Sequence, residues 1–592
     1  MMVRSHTAPA VAPEPEGELH QEPISRRKFL GGAAALAALG AVPVFRVGPA
    51  SAQATCAPPP NFPAGISLYQ QAYRNWSGEI QVDGVWTCVP QTPAHVVTIA
   101  NWARANNYKI RPRGRTHNWS PLTLTPGSSC SVRIVLVDTT QFLKTVTIVP
   151  GSPVTVRAQT GVTMESLLTT LENAGYGMTA TPAPGDLTLG GVLAIDGHGT
   201  AVPATGETRI PGHTYGSLSN LIVSVTAVVW DPVAGQYALK TFNRSDAQSL
   251  PFLAHVGRAF LTEVTLQTGA NYRLRCQSWF DIPSSEMFAP SGSAGRTFQS
   301  YVESSGRVEA IWFPFTSNPW LKVWKVSPSK PLLSRQVTSP YNYSFSDNLP
   351  PSLTDLIAQI VSGNVSLTPS FGQTNLSVVG AGLITTGTWD IWGWSKNLLL
   401  YVRPTTLRVT ANGYAIITRR SNVQRVVNEF TTYYQSRVAA YQAQGRYPMN
   451  GPVEIRVTGL DQAADVAVSS AGPPALSAVR PRPDHTDWNV AVWLDILTIP
   501  GTPYANQFYR EIETWVFSNY ASYAAVRPEW SKGWGYTNSA AWADATILGT
   551  TVPNAYRAGL PTSSDWDWAR GRLNTYDPHR IFSNGFLDTL LP

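Results

Sequence analysis

The sequence predicts an α+β protein built from two domains. At 592 residues, the chain exceeds what one hydrophobic core normally organises. Runs with apolar residues at helical spacing alternate with short, nearly continuous apolar runs that favour strands. Beyond about residue 275, the chain becomes richer in tryptophan and phenylalanine. We therefore place the first domain at residues 53–275 and the second at residues 276–565.

The first domain is predicted from caps and from apolar spacing. Thr92-Pro93 has the cap-then-proline order of a helix start. A second helix is expected over residues 163–174, where leucines recur at helical spacing and Gly175 ends the run. Strands are expected at residues 134–137, 146–149, 154–158, 221–230 and 260–266.

The second domain alternates apolar strands with two amphipathic helices. Residues 423–443 place valines and aromatic residues three and four positions apart, and Gly445 follows as a stop. A similar pattern predicts a helix over residues 506–519. Strands are expected at residues 310–315, 398–402 and 453–457.

Composition and targeting signals restrict the function. The net formal charge of +7 is spread along the chain without a long basic run, so we expect no nucleic-acid partner. In residues 1–52, Arg26 and Arg27 precede an Ala- and Gly-rich apolar run, and Ala50-Ser51-Ala52 offers small residues for cleavage. This order resembles a bacterial twin-arginine signal, which predicts a secreted protein that is exported already folded.

The first functional signal is the stretch 113–120, which reads Arg-Gly-Arg-Thr-His-Asn-Trp-Ser. Backbone N–H groups at a glycine turn, with arginines beside them, suit a phosphate-bearing cofactor. A histidine in such a loop can attack a cofactor through a ring nitrogen and stay attached. On these residues alone, an ordinary basic surface turn is an equal alternative.

A second glycine-rich tract, at residues 184–194, runs into Asp196-Gly197-His198-Gly199. Its spacing does not match the dinucleotide-binding pattern GxGxxG, and no strand leads directly into it. Two glycine-rich loops far apart in sequence instead fit a cofactor that is held from two sides.

An acid and a guanidinium share one strand in the second domain. Glu454 and Arg456 lie two residues apart, so both side chains point to the same face of the 453–457 strand. Burying an acid and a guanidinium is costly unless the two charges pair with each other and serve a function. A structural salt bridge at a sheet edge is the alternative.

Two further acids are candidates for proton transfer. Glu309 precedes a very apolar run, and such surroundings raise the pKa of a carboxyl group. Glu529 lies among tryptophans and cations in the segment 527–534, Arg-Pro-Glu-Trp-Ser-Lys-Gly-Trp. The alternatives are a strand-end surface acid for Glu309 and a packed loop for Glu529.

The four cysteines do not have the spacing of a metal site, and we expect no metal. In an exported protein a Cys56–Cys88 disulfide is conceivable. Unpaired, buried thiols are an equally good interpretation of all four positions.

Together, several segments resemble the vanillyl-alcohol-oxidase family of FAD-linked oxidases. RGRTHNW (113–119), PGDLTLGG (184–191) and DGHG (196–199) resemble its FAD-binding domain, and DPHRIFSN (577–584) resembles its C-terminal segment. The resemblance implies covalent FAD on His117 and a return of residues 566–592 to the FAD domain. The cofactor-binding residues it implies are Arg113, Gly114, Arg115, Thr116, His117, Asn118, Pro184, Gly185, Thr188, Gly190, Gly191, Ala194, Gly197, His198, Gly199 and Asn584.

Within that family, the chain looks most like the bacterial type II cholesterol oxidases, which carry FAD covalently. PGHTYGSLSNL (211–221), EAIWFPFT (309–316), DIWGWSK (390–396), GPVEIR (451–456) and RPEWSKGW (527–534) carry this likeness in order. The resemblance implies an active site that contains Glu309, Glu454, Arg456 and Glu529. It also implies an amide at position 495, where this chain has Asp495, an acceptor that can carry charge.

The implied activity is oxidation of a 3β-hydroxysteroid with dioxygen, giving hydrogen peroxide, with isomerisation of the ring double bond. A monomer that contacts membranes transiently is expected, and Trp320 and Trp324 are candidates for that contact. A covalent-flavin sugar or lactone oxidase is one alternative. A secreted, tryptophan-rich binding protein without catalysis is the alternative of another class.

Overall fold

The computed structural model describes residues 56–343 and 349–592, which form one compact unit. The predicted export signal at residues 1–52 lies outside the described residues. Within them, no helix combines the length and the apolar character that crossing a bilayer requires. The same residues bring together no group of three or more His, Cys, Asp or Glu side chains suited to a metal ion.

Two sheets form the first half of the fold. The first has four strands and mixed pairing, and the second has five antiparallel strands. In spatial order the first sheet contains β1 (Ser67–Arg74), β2 (Gln81–Val89), β4 (Ile134–Asp138) and β3 (Lys109–Arg113). The second contains β5 (Val146–Val149), β6 (Thr155–Gln159), β10 (Phe260–Gln267), β8 (Ile222–Asp231) and β9 (Gln236–Asn243). A two-stranded piece pairs β7 (Tyr176–Gly177) with β11 (Gly269–Ala270).

A nine-stranded sheet forms the second half, and all its pairings are antiparallel except the one at the β15 edge. In spatial order it contains β15 (Arg335–Gln336), β16 (Asp390–Trp394), β12 (Arg273–Trp279), β14 (Trp320–Val326), β13 (Arg307–Trp312), β18 (Val453–Gly459), β19 (Val490–Thr498), β17 (Thr410–Thr418) and β20 (Ala525–Pro528). Strands β17 and β19 are interior strands and are buried on both faces, which suits the apolar runs that they contain.

Helices cover both halves. They are α1 (Pro93–Ala105), α2 (Met164–Asn173), α3 (Leu189–Ala194), α4 (Leu250–Leu253), α5 (Ser284–Met287), α6 (Phe298–Ser305), α7 (Pro351–Val361), α8 (Thr368–Thr385), α9 (Ser395–Leu399), α10 (Val423–Gln442), α11 (Ala505–Asn519), α12 (Val552–Ala555), α13 (Trp566–Tyr576) and α14 (Gly585–Leu590). The predicted start of α1 is confirmed, because the Thr92 hydroxyl accepts a hydrogen bond from the His95 N–H.

Two predicted strands were wrong or incomplete, and two helices were missed. The apolar run 398–402 is not a strand, since its first residues complete α9. The strand expected at 310–315 ends at Trp312, and Phe315 has a positive φ of 62° where the chain turns. Helices α7 and α8 were not predicted; α8 spreads its apolar residues around the helix, so no stripe stands out in the sequence.

The cysteines pair differently from the bridge considered above. Cys56 forms a disulfide with Cys130, at a sequence separation of 74 residues. A Cys56–Cys88 bridge is therefore wrong. Cys88 and Cys276 are buried free thiols, as the alternative interpretation proposed for such positions.

The last residues of the chain pack against the first sheet. The Ile110 N–H of β3 donates to the Ile581 carbonyl, and Ile581 and Phe582 join the core between that sheet and α1. The Asn584 side chain donates to the carbonyls of Pro121 and Leu122, which directly follow the 113–120 loop. The C-terminal segment therefore fixes the position of this loop.

Candidate active site

A cleft opens in the first half, beside the 113–118 loop. The segment from Leu187 to Ile195 forms its opposite wall. The predicted cofactor-binding residues that line it are Gly114, Arg115, Thr116, His117, Asn118, Thr188, Gly190, Gly191 and Ala194. The two loops singled out in the sequence therefore face one space, as expected for a cofactor that is held from two sides.

Glycines let the walls of this cleft approach each other closely. A Cβ atom at Gly114 would lie 2.3 Å from the Thr188 hydroxyl oxygen, and one at Gly190 would lie 2.9 Å from Thr160. Between them, Thr116 has a φ of +56°, which is rare for a β-branched residue. The loop is held in a strained conformation directly before His117, as often happens at functional sites.

The surroundings of His117 keep its imidazole buried and neutral. Its ring stacks on Trp76 with centroids 3.7 Å apart, and its buried Nδ1 has no hydrogen-bond partner. Burial, and then the charges of Arg408 and Lys532, lower its pKa to about 3. A neutral imidazole with a free nitrogen at the cleft wall fits a covalent link to a flavin.

The remaining predicted cofactor-binding residues lie around the cleft without lining it. Arg113 pairs with Asp138 at 3.4 Å, and Gly185 packs against Leu400. Pro184 forms a β-bridge with Val402. Gly197 packs against Val192, Gly199 packs against the backbone of Thr181, and Asn584 holds the loop as described above.

His198 links the cleft loops to the second half of the fold. Its ring stacks on Trp493 with centroids 3.7 Å apart, and its Nε2 lies 3.8 Å from Glu529 Oε1. The 113–120 stretch makes a second link, since the N–H groups of Trp119 and Ser120 both donate to the Ser531 carbonyl. The two sequence signals, the loop and the 527–534 segment, are thus in direct contact.

The strand register brings the predicted carboxylates onto one face of the large sheet. Glu309 of β13 is opposite Arg456 of β18, and Glu454 is opposite Asp495 of β19. Asp495 is in turn opposite Gly413 of β17, whose carbonyl accepts the Glu529 N–H. The cluster follows from the sheet pairing, which places residues distant in sequence side by side.

Glu309 is completely enclosed by polar partners. Its Oε2 lies 3.0 Å from Lys322 Nζ of β14, and the Tyr401 hydroxyl donates to the carboxylate at 3.0 Å. Arg456 Nη1 lies 4.0 Å from Oε1. Lys322 is buried in turn, with Nζ 3.3 Å from the centre of the Tyr401 ring.

A second group is centred on Asp495. Its Oδ2 accepts hydrogen bonds from Arg456 Nη2 and Lys532 Nζ. Lys532 Nζ also lies 3.1 Å from Glu529 Oε2, whereas Arg456 Nη2 lies 3.9 Å from Glu454 Oε2. Arg456 therefore leans towards Asp495 and away from Glu454, its neighbour on the same strand.

These contacts separate the pKa values of the four carboxyl groups. Burial alone would raise all four, but Lys322 and Arg456 outweigh burial and lower the pKa of Glu309. Lys532 and His198 likewise lower the pKa of Glu529. For Glu454 burial prevails and the pKa is raised, and burial raises the pKa of Asp495 to about 7. The site thus contains two carboxylates that stay ionised and two groups that bind protons more readily.

Lys322 and Tyr401 were missed by the sequence reasoning, and Lys532 was quoted in a motif without a role. Lys322 carried a signal, since it is flanked on both sides by apolar and aromatic residues in the segment Trp-Leu-Lys-Val-Trp of its strand. Tyr401 carried none, because its neighbours in sequence do not indicate contact with Glu309. No account of the site is complete without Lys322, the nearest cation to Glu309.

An apolar core cluster adjoins these charged residues. Ile311, Phe313, Trp320 and Tyr343 pack with Leu383 of α8, and Tyr401 borders them. Trp320 and Trp324 belong to strand β14 and are 5% and 0% exposed. The expectation that these two tryptophans contact lipid is therefore wrong; they belong to the interior around Lys322.

Comparison with known proteins agrees with this geometry. The family description "FAD binding domain" matches residues 86–231, and "Cholesterol oxidase, substrate-binding" matches residues 273–592. A solved structure of a solvent-stable cholesterol oxidase is 64% identical with a TM-score of 0.90, over 90% of this chain and 100% of that chain. The chain belongs to the cholesterol oxidase family.

Other members of the cholesterol oxidase family support the assignment. The crystal structure of the enzyme from Brevibacterium sterolicum and that of a histidine-to-alanine mutant of it are each 50% identical to this chain. Each has a TM-score of 0.89 and covers 91% of this chain and 100% of its own. No curated protein matches the chain. The predicted fold, an FAD-binding unit with a substrate-binding unit of mixed α and β structure, is confirmed.

Proposed function

We propose that this protein oxidises the 3β-hydroxyl group of a cholesterol-like sterol with FAD and transfers the electrons to dioxygen. The observation that carries the proposal is the buried cluster on the large sheet, which is joined through Ser531 and His198 to the loops of the cleft. An apolar cluster beside charged residues suits a ring system with a single hydroxyl group.

FAD fits the cleft, and His117 is the residue proposed to hold it covalently. When bound there, FAD would supply the acceptor for a hydride from the carbinol carbon and a site for re-oxidation by dioxygen, which would give hydrogen peroxide. Gly114, Thr188 and Gly190 shape the walls that would hold the cofactor. If His117→Ala protein retains flavin after acid precipitation and washing, the covalent role of His117 is wrong.

The hydroxyl proton leaves to an ionised carboxylate of the cluster. Glu309 and Glu529 both have lowered pKa values, so both are ready to accept it. Glu309→Gln and Glu529→Gln distinguish them: loss of the base lowers kcat by about 100-fold or more. The other variant should keep most of its kcat, with its effect mainly in KM.

Isomerisation of the ring double bond is the second proposed step. It needs a group that takes a proton from one ring carbon and returns it to another. Glu454 suits this step because its pKa is raised and its side chain is 22% exposed, unlike that of Glu309. Glu454→Gln should release more of the unisomerised ketone, which chromatography of the products measures.

A peroxide assay compares the sterol with the rival substrates. Purified protein should form peroxide with cholesterol and not with alditols or aldonolactones. The reverse preference supports a sugar or lactone oxidase. No peroxide with any alcohol, together with no bound flavin, supports a non-catalytic binding protein.

We also propose transient contact with a lipid surface, at the edge of the sheet formed by β15 and β16. Leu332, Leu333 and Ile384 are 92%, 79% and 73% exposed there, and Trp389 is 41% exposed. The Ser334 hydroxyl donates to Asp390 at 2.8 Å, which brings the two segments together. From residue 356 to residue 389 the chain contains no charged side chain, which supports an apolar environment for this face.

Binding to sterol-free phosphatidylcholine vesicles tests this contact. Leu333→Glu combined with Ile384→Glu should weaken vesicle binding by at least about tenfold, since both side chains would leave the lipid. Val233→Glu is the matched control, because Val233 is 97% exposed on the turn between β8 and β9. Equal binding by the paired variant and this control contradicts the proposal.

Secretion through the twin-arginine route and a monomeric state complete the proposal. The order of Arg26, Arg27, the apolar run and the small residues before Gln53 supports the first. Lys substitution of both arginines should leave the protein inside the producing bacterium, as measured by fractionation. Size-exclusion chromatography with light scattering should give the mass of a single chain.

A further inference from the structure

The carboxylate cluster contains one more acid than it contains permanent cations. The acids are Glu309, Glu454, Asp495 and Glu529, and the cations are Lys322, Arg456 and Lys532. His198 lies 3.8 Å from Glu529 and is charged only when protonated. A buried, uncompensated negative charge is unfavourable, so such a cluster tends to keep one proton.

Asp495 is the acid with the strongest reason to keep that proton. It is 0% exposed and lies between two other carboxyl groups, opposite Glu454 on one side and near Glu529 across Gly413 on the other. Its Oδ2 holds both Arg456 and Lys532, whereas its buried Oδ1 has no hydrogen-bond partner among the described residues. A proton on Oδ1 would remove the like-charge repulsion, and Oδ2 could still accept hydrogen bonds from both cations, although each would be held more weakly.

The competing acids are bound differently. Glu309 accepts from Lys322 and Tyr401, and its carboxylate is best kept ionised there. Glu529 is next to Lys532 and His198. In the described part of the chain, Arg456 at 3.9 Å is the cation within ion-pair distance of Glu454, and burial raises the pKa of Glu454 as well. Its side chain is nevertheless 22% exposed, so water can solvate its charge. The fully enclosed Asp495 cannot use water in this way, and burial raises its pKa to about 7.

We propose that Asp495 holds the surplus proton of the cluster on Oδ1, while Oδ2 positions Arg456 and Lys532. Asp495 is therefore a positioning residue with a second role as a charge regulator. When it loses the proton at higher pH, a negative charge appears between Glu454 and Glu529 and strengthens the hold on Arg456. The pH at which the site changes charge is thus set by a residue where an amide was expected.

Infrared spectroscopy of the resting holoenzyme tests where the proton is. The difference between the native protein and Asp495→Asn should contain the C=O band of a protonated carboxyl group that disappears on titration near pH 7. In protein labelled with ¹³C-aspartate, this band should shift to lower frequency. A band that does not shift assigns the proton to a glutamate, and no band at all means that the cluster keeps no proton; either result overturns the proposal.

The pH profile of kcat/KM provides the second readout. Native enzyme should show a change in kcat/KM near pH 7 that Asp495→Asn lacks, although the variant retains its flavin and its folding. A profile of the same shape in both proteins overturns the regulatory role. The infrared result does not depend on turnover, so it stands or fails separately from the proposed sterol oxidation.

Discussion

Replacing Lys322 with methionine tests the electrostatic core of the site. Lys322 is 0% exposed and its Nζ lies 3.0 Å from Glu309, which is itself 2% exposed. Methionine retains most of the side-chain volume, so the principal change is loss of the charge. Arg456, at 4.0 Å, and the Tyr401 hydroxyl are then the remaining partners that favour ionised Glu309.

The magnitude follows from the charge that is left behind. Removing one partner of a buried ion pair costs about 3–5 kcal/mol. Glu309 can avoid the cost of an unpaired buried charge by taking up a proton, which for an ordinary glutamate at pH 7 costs about 3.7 kcal/mol. The loss of stability should therefore not exceed about this value. The unfolding entropy of a chain of this size means that each kcal/mol of lost stability lowers Tm by about 1 °C. Tm should therefore fall by about 3–4 °C.

The sign of the pH dependence is fixed by the pKa of Glu309, which lies below that of the unfolded chain. Such a group stabilises the fold above its unfolded pKa, and this stabilisation is lost as the pH falls through the folded pKa. The difference in Tm between native protein and Lys322→Met should therefore be largest near neutral pH and shrink in acid.

Differential scanning fluorimetry across pH measures this effect. Lys325→Met is the matched control, because Lys325 is exposed on the same strand. Adding Glu309→Gln to Lys322→Met should restore part of the lost stability. The reasoning is refuted if Lys322→Met lowers Tm no more than Lys325→Met, or if the double variant is less stable than Lys322→Met at pH 7.

Three further outcomes are expected. Tyr401→Phe removes a hydrogen bond that lowers the pKa of Glu309. The acidic limb of the pH profile of kcat/KM should therefore move to higher pH. If the limb does not move, ionisation of Glu309 does not control the rate. Cys130→Ser removes a disulfide that spans 74 residues and stabilises the fold by about 4 kcal/mol, so Tm should fall. Cys88→Ser removes only a free thiol and should have a much smaller effect; equal falls in Tm would contradict this prediction. Trp493→Leu removes the ring that stacks on His198, so steady-state kinetics should show a raised KM. The flavin content, measured by absorbance, should be unchanged. Loss of flavin would mean that Trp493 supports the cofactor instead.

Local patterns predicted those parts of the fold that local physics determines. The cap at Thr92 and the stripe of α10 were readable because each depends on residues within a turn or two. The disulfide partner of Cys56 was not, since it depends on where a loop 74 residues away returns. Helix α8 was not predicted because its small and apolar residues are spread around the helix and form no stripe.

The sequence predicted most of the residues of the site, but not the contacts between them. Motifs indicated Glu309, Glu454 and Glu529, and strand spacing placed Glu454 and Arg456 on one face. The register that sets Glu309 against Arg456 and Glu454 against Asp495 arises only when the sheet forms. Tyr401 reaches Glu309 through this tertiary packing, which no local signal encodes.

Anaerobic mixing of the purified protein with cholesterol tests the central claim most directly. The account predicts that the visible flavin band bleaches, that the 3-ketosteroid forms in equal amount, and that air restores the band with release of hydrogen peroxide. The flavin should also remain with the protein after acid precipitation. A band that cholesterol leaves unchanged but an alditol bleaches would contradict the account.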